Sequence, residues 1–280
     1  MNMRAAMIGG AALLFVALAG AGGWYLLPGA PAAPESDATD TEQLPVPPVP
    51  PRIAQGPDYE HCLAMLTSDP TGAATFAAAW EATGGGDGAT HCLALSQIAL
   101  GDPARGAQML EDLAAASRGP DVARATIYGQ ATQAWLMAGE NMQAFGAATL
   151  ALALSPDDAD LLIESATAAA ALGRYQDAVD DLTHALTIDA RRDDALTARA
   201  SAFRHLGQLD RAQEDIDRAI AIDPDNPEAL LERGILRQRR NDAAGARTDW
   251  ERAIMLAPNT PAADLAQQNL ALLEAGPDRR

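Results

Sequence analysis

ALTARASAFRHLGQLDRAQEDIDRAIAIDPDNP, residues 195–227, reads as two helices folded back on one another. Leu196, Ala200 and Phe203 recur at helical spacing and give the first run one apolar face. Gly207 stands where that helix must end, and glycine supplies the left-handed residue that a tight helix–helix turn needs. Ala212, Ile216 and Ala219 then repeat the helical spacing in a second run. Asp223-Pro224-Asp225-Asn226-Pro227 stops the second helix and opens another. Proline disfavours helix in the residue before it and suits the first helical position.

The same pattern recurs on both sides. Gly139, Gly173 and Gly207 are 34 residues apart, and Asn241 takes the next slot. The interval repeats for Ala144, Ala178, Ala212 and Ala246, and again for Ala151, Ala185, Ala219 and Ala253. Pro156, Pro224 and Pro258 close units in the same phase, with Ala190 in the remaining place. An insertion anywhere would break this phasing, so four consecutive units of equal length are present. Two alanines seven apart lie on one helix face, where only a methyl lets the second helix come close to the first. Leu182, Ile216 and Trp250 fall between those alanines and are expected to fill the space between layers.

Over Ala125 to Pro258, about half the chain, these residues resemble the tetratricopeptide-repeat family, whose repeat length is 34. A large residue stands early in each first helix (Tyr128, Leu162, Leu196, Leu230) and a small one later (Thr132, Ala166, Ala200, Gly234). A leucine usual in the first helix is replaced by Ala131, Ser165, Arg199 and Arg233, and its aromatic partner survives only as Trp135 and Phe203. Packing looser than the family norm is expected from those exchanges.

The resemblance implies an all-α, right-handed superhelical solenoid of antiparallel helix pairs, with the first helices building a concave face. It also implies a non-enzymatic scaffold that holds a peptide or helix of a partner protein in that groove. The groove residues predicted on this basis are Gln130, Gln133, Ile163, Thr167, Thr197, Ser201, Arg204, Leu231, Ile235, Gln238 and Arg239. The surface runs from amide and small apolar groups to basic ones around Arg204, His205, Arg237 and Arg239. An apolar, partly acidic partner segment would suit it, unless those arginines are paired with acidic neighbours. Family members that bind chaperones clamp a carboxylate pair with Lys and Asn. This chain has no Lys, so that activity is not expected. An accessory role in envelope or cytochrome c assembly machinery is the alternative function, by resemblance to anchored repeat proteins.

Around the four repeats (residues 121–258) the chain divides further. Residues 259–280 read as a capping helix and tail, because a solenoid must cover its last apolar face. Residues 58–120 read as four short helices of a degenerate repeat kind, interrupted at Gly84-Gly85-Gly86. Residues 28–57 form a linker whose prolines (Pro28, Pro31, Pro34, Pro45, Pro47, Pro48, Pro50, Pro51) exclude helix and sheet. At ~3.1 Å per residue its extended stretch reaches roughly 75 Å. Residues 1–27 read as a signal-anchor or signal peptide. Ala5 to Leu27 carry no charge, long enough for the ~20 residues that span a bilayer. Arg4 precedes them and acidic residues follow, which orients the remainder outside the inner membrane, in the periplasm. Small-residue sites at Ala17-Leu18-Ala19 and Ala19-Gly20-Ala21 leave open a cleaved, soluble periplasmic form.

The formal charge of −18, from 38 acidic and 20 basic residues, speaks against a nucleic-acid partner, which calls for a basic stripe. No nucleophile elbow, phosphate loop or metalloprotease motif occurs, so no catalytic residue, cofactor or metal is predicted. Cys62 and Cys92 are the only cysteines, each preceded by a histidine. An exported pair points to a disulfide. A metal site is the sharper alternative, although neighbouring helical residues diverge by about 100° and seldom reach one ion. Two free thiols are the third reading.

Overall fold

The computed structural model describes residues 52–275. The predicted signal or anchor segment, most of the linker and the last five residues lie outside them. The described residues form thirteen α-helices and no strand: α1 (Pro57–Ser68), α2 (Pro70–Ala82), α3 (Gly86–Ala99), α4 (Pro103–Ala116), α5 (Asp121–Met137), α6 (Asn141–Leu154), α7 (Ala159–Ala171), α8 (Tyr175–Ile188), α9 (Asp193–His205), α10 (Leu209–Ile222), α11 (Pro227–Arg239), α12 (Ala243–Leu256) and α13 (Pro261–Ala275). Among the described residues no helix is long and apolar enough to cross a membrane.

Local chemistry sets the helix ends. Asp69, Asp102, Asn226 and Asp242 each accept a backbone N–H three residues on, at 2.8–3.2 Å, which satisfies a donor the first turn leaves open. The turn inside each pair is one motif repeated. Gly139, Gly173 and Gly207 have φ of 76°, 73° and 76°, and Asn241 takes φ 64° in the same place. The next residue's N–H reaches back to the last turn, as from Glu140 to Trp135 O and from Gln208 to Phe203 O. Gly101 (φ 90°) makes the same turn between α3 and α4, with Asp102 N–H on Gln97 O. The α3–α4 pair of the degenerate first third therefore uses the same hairpin turn as the regular repeats.

The alanine series forms the seams. All eight alanines of the two 34-residue series are fully buried, and Leu182, Ile216 and Trp250 lie between them with at most 1% exposure. Each buried large side chain stabilises the fold by roughly 1.5–3 kcal/mol. Trp250 fits because Gly234 has no side chain: a Cβ there would stand 2.3 Å from the indole nitrogen. That nitrogen donates to Leu231 O at 3.2 Å. The core is consequently a row of thin clusters, one around α4–α7, one around α7–α11 and one around α11–α13. The cluster at α1–α3 is the smallest, with Cys62, Ala77 and Cys92 at its centre.

The arginines that replace leucine do not leave gaps. Arg199 and Arg233 reach across their own pair to Asp215 and Asp249, sixteen residues on, and bind them bidentately. Asp215 and Asp249 are 4% and 2% exposed. The charge of Asp215 is therefore matched inside the hairpin.

Candidate functional site

First helices of successive pairs touch directly: α5 with α7, α7 with α9, α9 with α11, and α11 with α13. Second helices make no comparable contacts with one another. A stack crowded on one side and spread on the other curves toward the crowded side, so first helices line the inner face.

Two cavities adjoin on that face. One, of about 270 Å³, lies between α7, α8 and α9. Its walls are mostly methyls (Ala166, Ala170, Ala178, Ala198, Ala202) with Thr167, Ser201 and Leu182. Tyr175 and His205 close one rim, their rings stacked 4.2 Å apart and 6° from parallel. The other cavity, about 340 Å³, lies between α9 and the start of α11, bounded by Thr197, Leu231 and Asn226, with Asp194, Glu228 and Glu232 at its margin. Ala198 and Ser201 belong to both, so the two join across α9. Burial, then the charges of Arg204 and Arg239, lower the His205 pKa, and the ring is neutral near pH 7.

The structure thus brings together Thr167, Thr197, Ser201 and Leu231 among the predicted groove residues. Ile163 and Ile235 are half-buried and pack into the core clusters, and Gln238 is half-buried near the end of α11. Arg239 is exposed and stands close enough to His205 to influence it. Arg204 is engaged: Glu232 takes its guanidinium and Ser201 accepts a further bond at 3.0 Å. Its charge is spent inside the fold.

Gln130 and Gln133 belong to other environments. Gln130 lines a third cavity, about 360 Å³, with Arg52, Ile53, Tyr59, His91 and Ile127. Burial lowers the His91 pKa. With a neutral ring, the Tyr59 hydroxyl donates to Nδ1 (2.6 Å) and Nε2–H donates to the Gln130 side-chain oxygen (2.7 Å). Burial pushes the Tyr59 pKa up to about 12, which keeps it a donor. This relay joins α1, α3 and α5. Gln133 donates to Glu164 Oε1, while Glu164 Oε2 is buried without a partner among the described residues. Burial, and then Asp160 and Asp158, push Glu164 up to about 7 against the lowering effect of Gln133.

Cys62 on α1 and Cys92 on α3 are fully buried, with Sγ atoms 1.94 Å apart and Cα atoms 6.2 Å apart, as a disulfide. Both neighbouring histidines point elsewhere: His61 stacks edge-on against Phe76 and His91 joins the relay.

Sequence reasoning missed the Tyr175–His205 stack and the arginine–aspartate pairs. The second had a legible signal, an Arg and an Asp sixteen apart in two successive units. The first had none, since only one turn carries the tyrosine.

Residues 202–271 match the family model described as tetratricopeptide repeat. No curated protein matches the chain. Among solved structures, TTC0263, a repeat protein of Thermus thermophilus, is 18% identical with a TM-score of 0.55, covering 68% of this chain and all of that one. MamA from Desulfovibrio magneticus RS-1 is 16% identical at TM-score 0.52, over 61% of this chain and 94% of that one. A chain of the anaphase-promoting-complex hetero-tetramer Cut9-Hcn1 is 15% identical at TM-score 0.58, over 76% of this chain and 42% of that longer one. At such identities the likeness establishes the fold. The match over residues 202–271, the 34-residue hairpins around them and these shared architectures give the chain a tetratricopeptide-repeat fold, an architecture suited to protein–protein interaction.

Proposed function

We propose that the chain is a non-enzymatic periplasmic scaffold, tethered at the inner membrane by residues 5–27, which captures a partner segment across α7, α9 and α11. The observation that carries the groove is the pair of adjoining cavities sharing Ala198 and Ser201. Methyl walls accept apolar side chains without a fixed shape, and the Ser and Thr hydroxyls offer hydrogen bonds to a backbone. Arg239 beside His205 suits an acidic residue at one end of that segment. The uncharged run Ala5–Leu27 with Arg4 before it supports the tether, and a buried pair of joined sulfurs supports an oxidising compartment.

A photo-crosslinking residue at Ser201 of the full-length chain, expressed in its own cells, tests the groove. A partner captured there and lost when Ala198→Trp fills both cavities supports it. Capture unchanged by Ala198→Trp would overturn it. Protease added outside intact spheroplasts should digest residues 52–275; protection would remove the proposed compartment.

A further inference from the structure

The repeats expose an unfilled position on the other side of α7 from the groove. In the third regular pair, on α9, Arg199 is held by three acceptors. Its Nε and Nη2 donate to Asp215 (2.7 and 2.8 Å), and its Nη1 donates to Thr183 Oγ1 of α8 (3.0 Å). One pair later Arg233 repeats the aspartate contact, at 2.9 and 2.7 Å to Asp249.

Thirty-four residues before Arg199 the acceptors are present and the arginine is not. Asp181 stands where Asp215 does, Thr149 where Thr183 does, and Ser165 where Arg199 does. The Ser165 hydroxyl donates to Asp181 Oδ2 at 2.7 Å; among the described residues Oδ1 has no hydrogen bond. In the volume that a guanidinium takes up in the following pair there is a cavity of about 320 Å³, bounded by Phe145, Leu152, Thr149, Ser165 and Asp181, with Asp177 and Asp180 at its edge. Arg174 is turned to other work, lying over the Phe145 ring, 4.2 Å from its centre, and pairing with Asp177. The His184 ring nitrogen meets Asp157 at 3.0 Å. Three carboxylates against Arg174 leave the cavity negative.

We propose that this cavity receives an arginine side chain of a partner protein. The guanidinium takes the place that Arg199 has one repeat on, donating to Asp181 and Thr149, and its methylene stem lies along Phe145 and Leu152. Planar five-donor geometry matches a carboxylate and a hydroxyl set at this angle, which a lysine ammonium does not. The carboxylate edge also rejects free arginine, whose own carboxylate would face Asp177 and Asp180, and so favours an arginine within a chain. Burial, followed by Asp177 and Asp180, raises the Asp181 pKa against the Ser165 bond, as befits a carboxylate without its cation. The site is independent of the groove, because Ser165 is two residues from both Ile163 and Thr167 and faces roughly the opposite way on α7.

Amide chemical shifts of the full-length chain, titrated with N-acetyl-arginine amide, test this. Saturable shifts confined to residues around Thr149, Ser165 and Asp181 are expected. N-acetyl-lysine amide and free arginine should bind at least about fivefold more weakly. Ser165→Arg fills the cavity from within and should abolish the shifts, and Asp181→Asn should weaken them about tenfold. Shifts that do not saturate, that persist in Ser165→Arg, or that lysine amide reproduces at equal concentration would overturn the proposal. If Ser165→Arg does not fold, Asp181→Asn decides alone, and unchanged affinity there overturns it.

Discussion

Single residues carry both the strain and the order in this fold. Glu164 is the clearest case: its carboxyl faces Gly129, where a Cβ would stand 2.6 Å from Oε2, and burial raises its pKa from the ordinary 4.5 to about 7. The folded chain therefore holds a proton between those values that the unfolded chain releases, and stability must fall as pH rises through that window. Glu164→Gln should remove this fall and, above pH 7, stabilise the protein by on the order of 1–3 kcal/mol. Urea unfolding at pH 5 and pH 8 measures it, and an equal pH dependence in the variant would count against the assignment. The arginine–aspartate pair behaves in the opposite sense. Arg199 and Asp215 side chains are 14% and 5% exposed, so Asp215→Ala alone strands a largely buried cation at a cost of about 3 kcal/mol. Arg199→Leu with Asp215→Ala should recover most of that, because an apolar residue suits the same space. Denaturant midpoints of the single and double variants separate the two outcomes. The same distinction explains which site residues could be read from sequence. Thr197, Ser201 and Leu231 follow from phase alone, whereas the fate of Arg204 depends on Glu232 twenty-eight residues away, and no periodicity announces which arginine is already matched. Arg239→Glu is accordingly the charge reversal that should weaken partner capture in the crosslinking assay without unfolding the chain. Arg204→Glu should act through stability instead, by facing Glu232 with a like charge.

At the scale of the helix pair, the sequence is nearly explicit. A capping Asn226 followed by Pro227 marks the start of α11 and a capping Asp242 that of α12, while Gly207 and Asn241 mark the ends of α9 and α11. The series Gly139, Gly173, Gly207 and Asn241 turns out to be one backbone conformation, φ between 64° and 76°, so a period seen in letters is a period in dihedral angle. Nothing lies within 4 Å of a Cβ built on Gly173, which isolates the conformational cost: Gly173→Ala should lose about 1 kcal/mol from φ alone, while Asn241→Gly should change little or gain. Thermal unfolding compares them, and a Gly173→Ala variant as stable as the parent would mean that the turn relaxes. Less was legible in α1 to α4. Their alanine seams are out of phase with the rest, and Tyr59, His91 and Gln130 sit on three helices with no spacing in common. A hydrogen-bonded relay of that kind depends on how helices stack, and stacking is specified by shape rather than by pattern.

Across the whole molecule the stability of such a stack is a sum of pairs and of the interfaces between neighbours, so the ends and the thinnest cluster decide where it opens. The C-terminal end is covered by α13, whose Ala262, Ala263 and Ala266 are buried while Leu265 and Leu272 remain exposed. At the other end α1 and α2 bury only Tyr59, Cys62, Ala73 and Ala77, too little apolar surface to hold two helices unaided. Covalent and polar ties stand in for the missing core there: the Cys62–Cys92 link fastens α1 to α3, and the Tyr59–His91–Gln130 relay fastens it to α3 and α5. Closing a loop of 30 residues stabilises the closed form by about 3.5 kcal/mol in the chain-entropy account. Reduction should therefore release the first pair and leave α5 to α12 folded, since their seams do not involve either cysteine. Hydrogen exchange with and without reductant reads this directly. Protection lost over residues 57–82 and retained over 121–256 is the expected pattern. Uniform loss along the chain would mean that the repeats unfold as one cooperative block, and loss nowhere would mean that the relay alone secures the end.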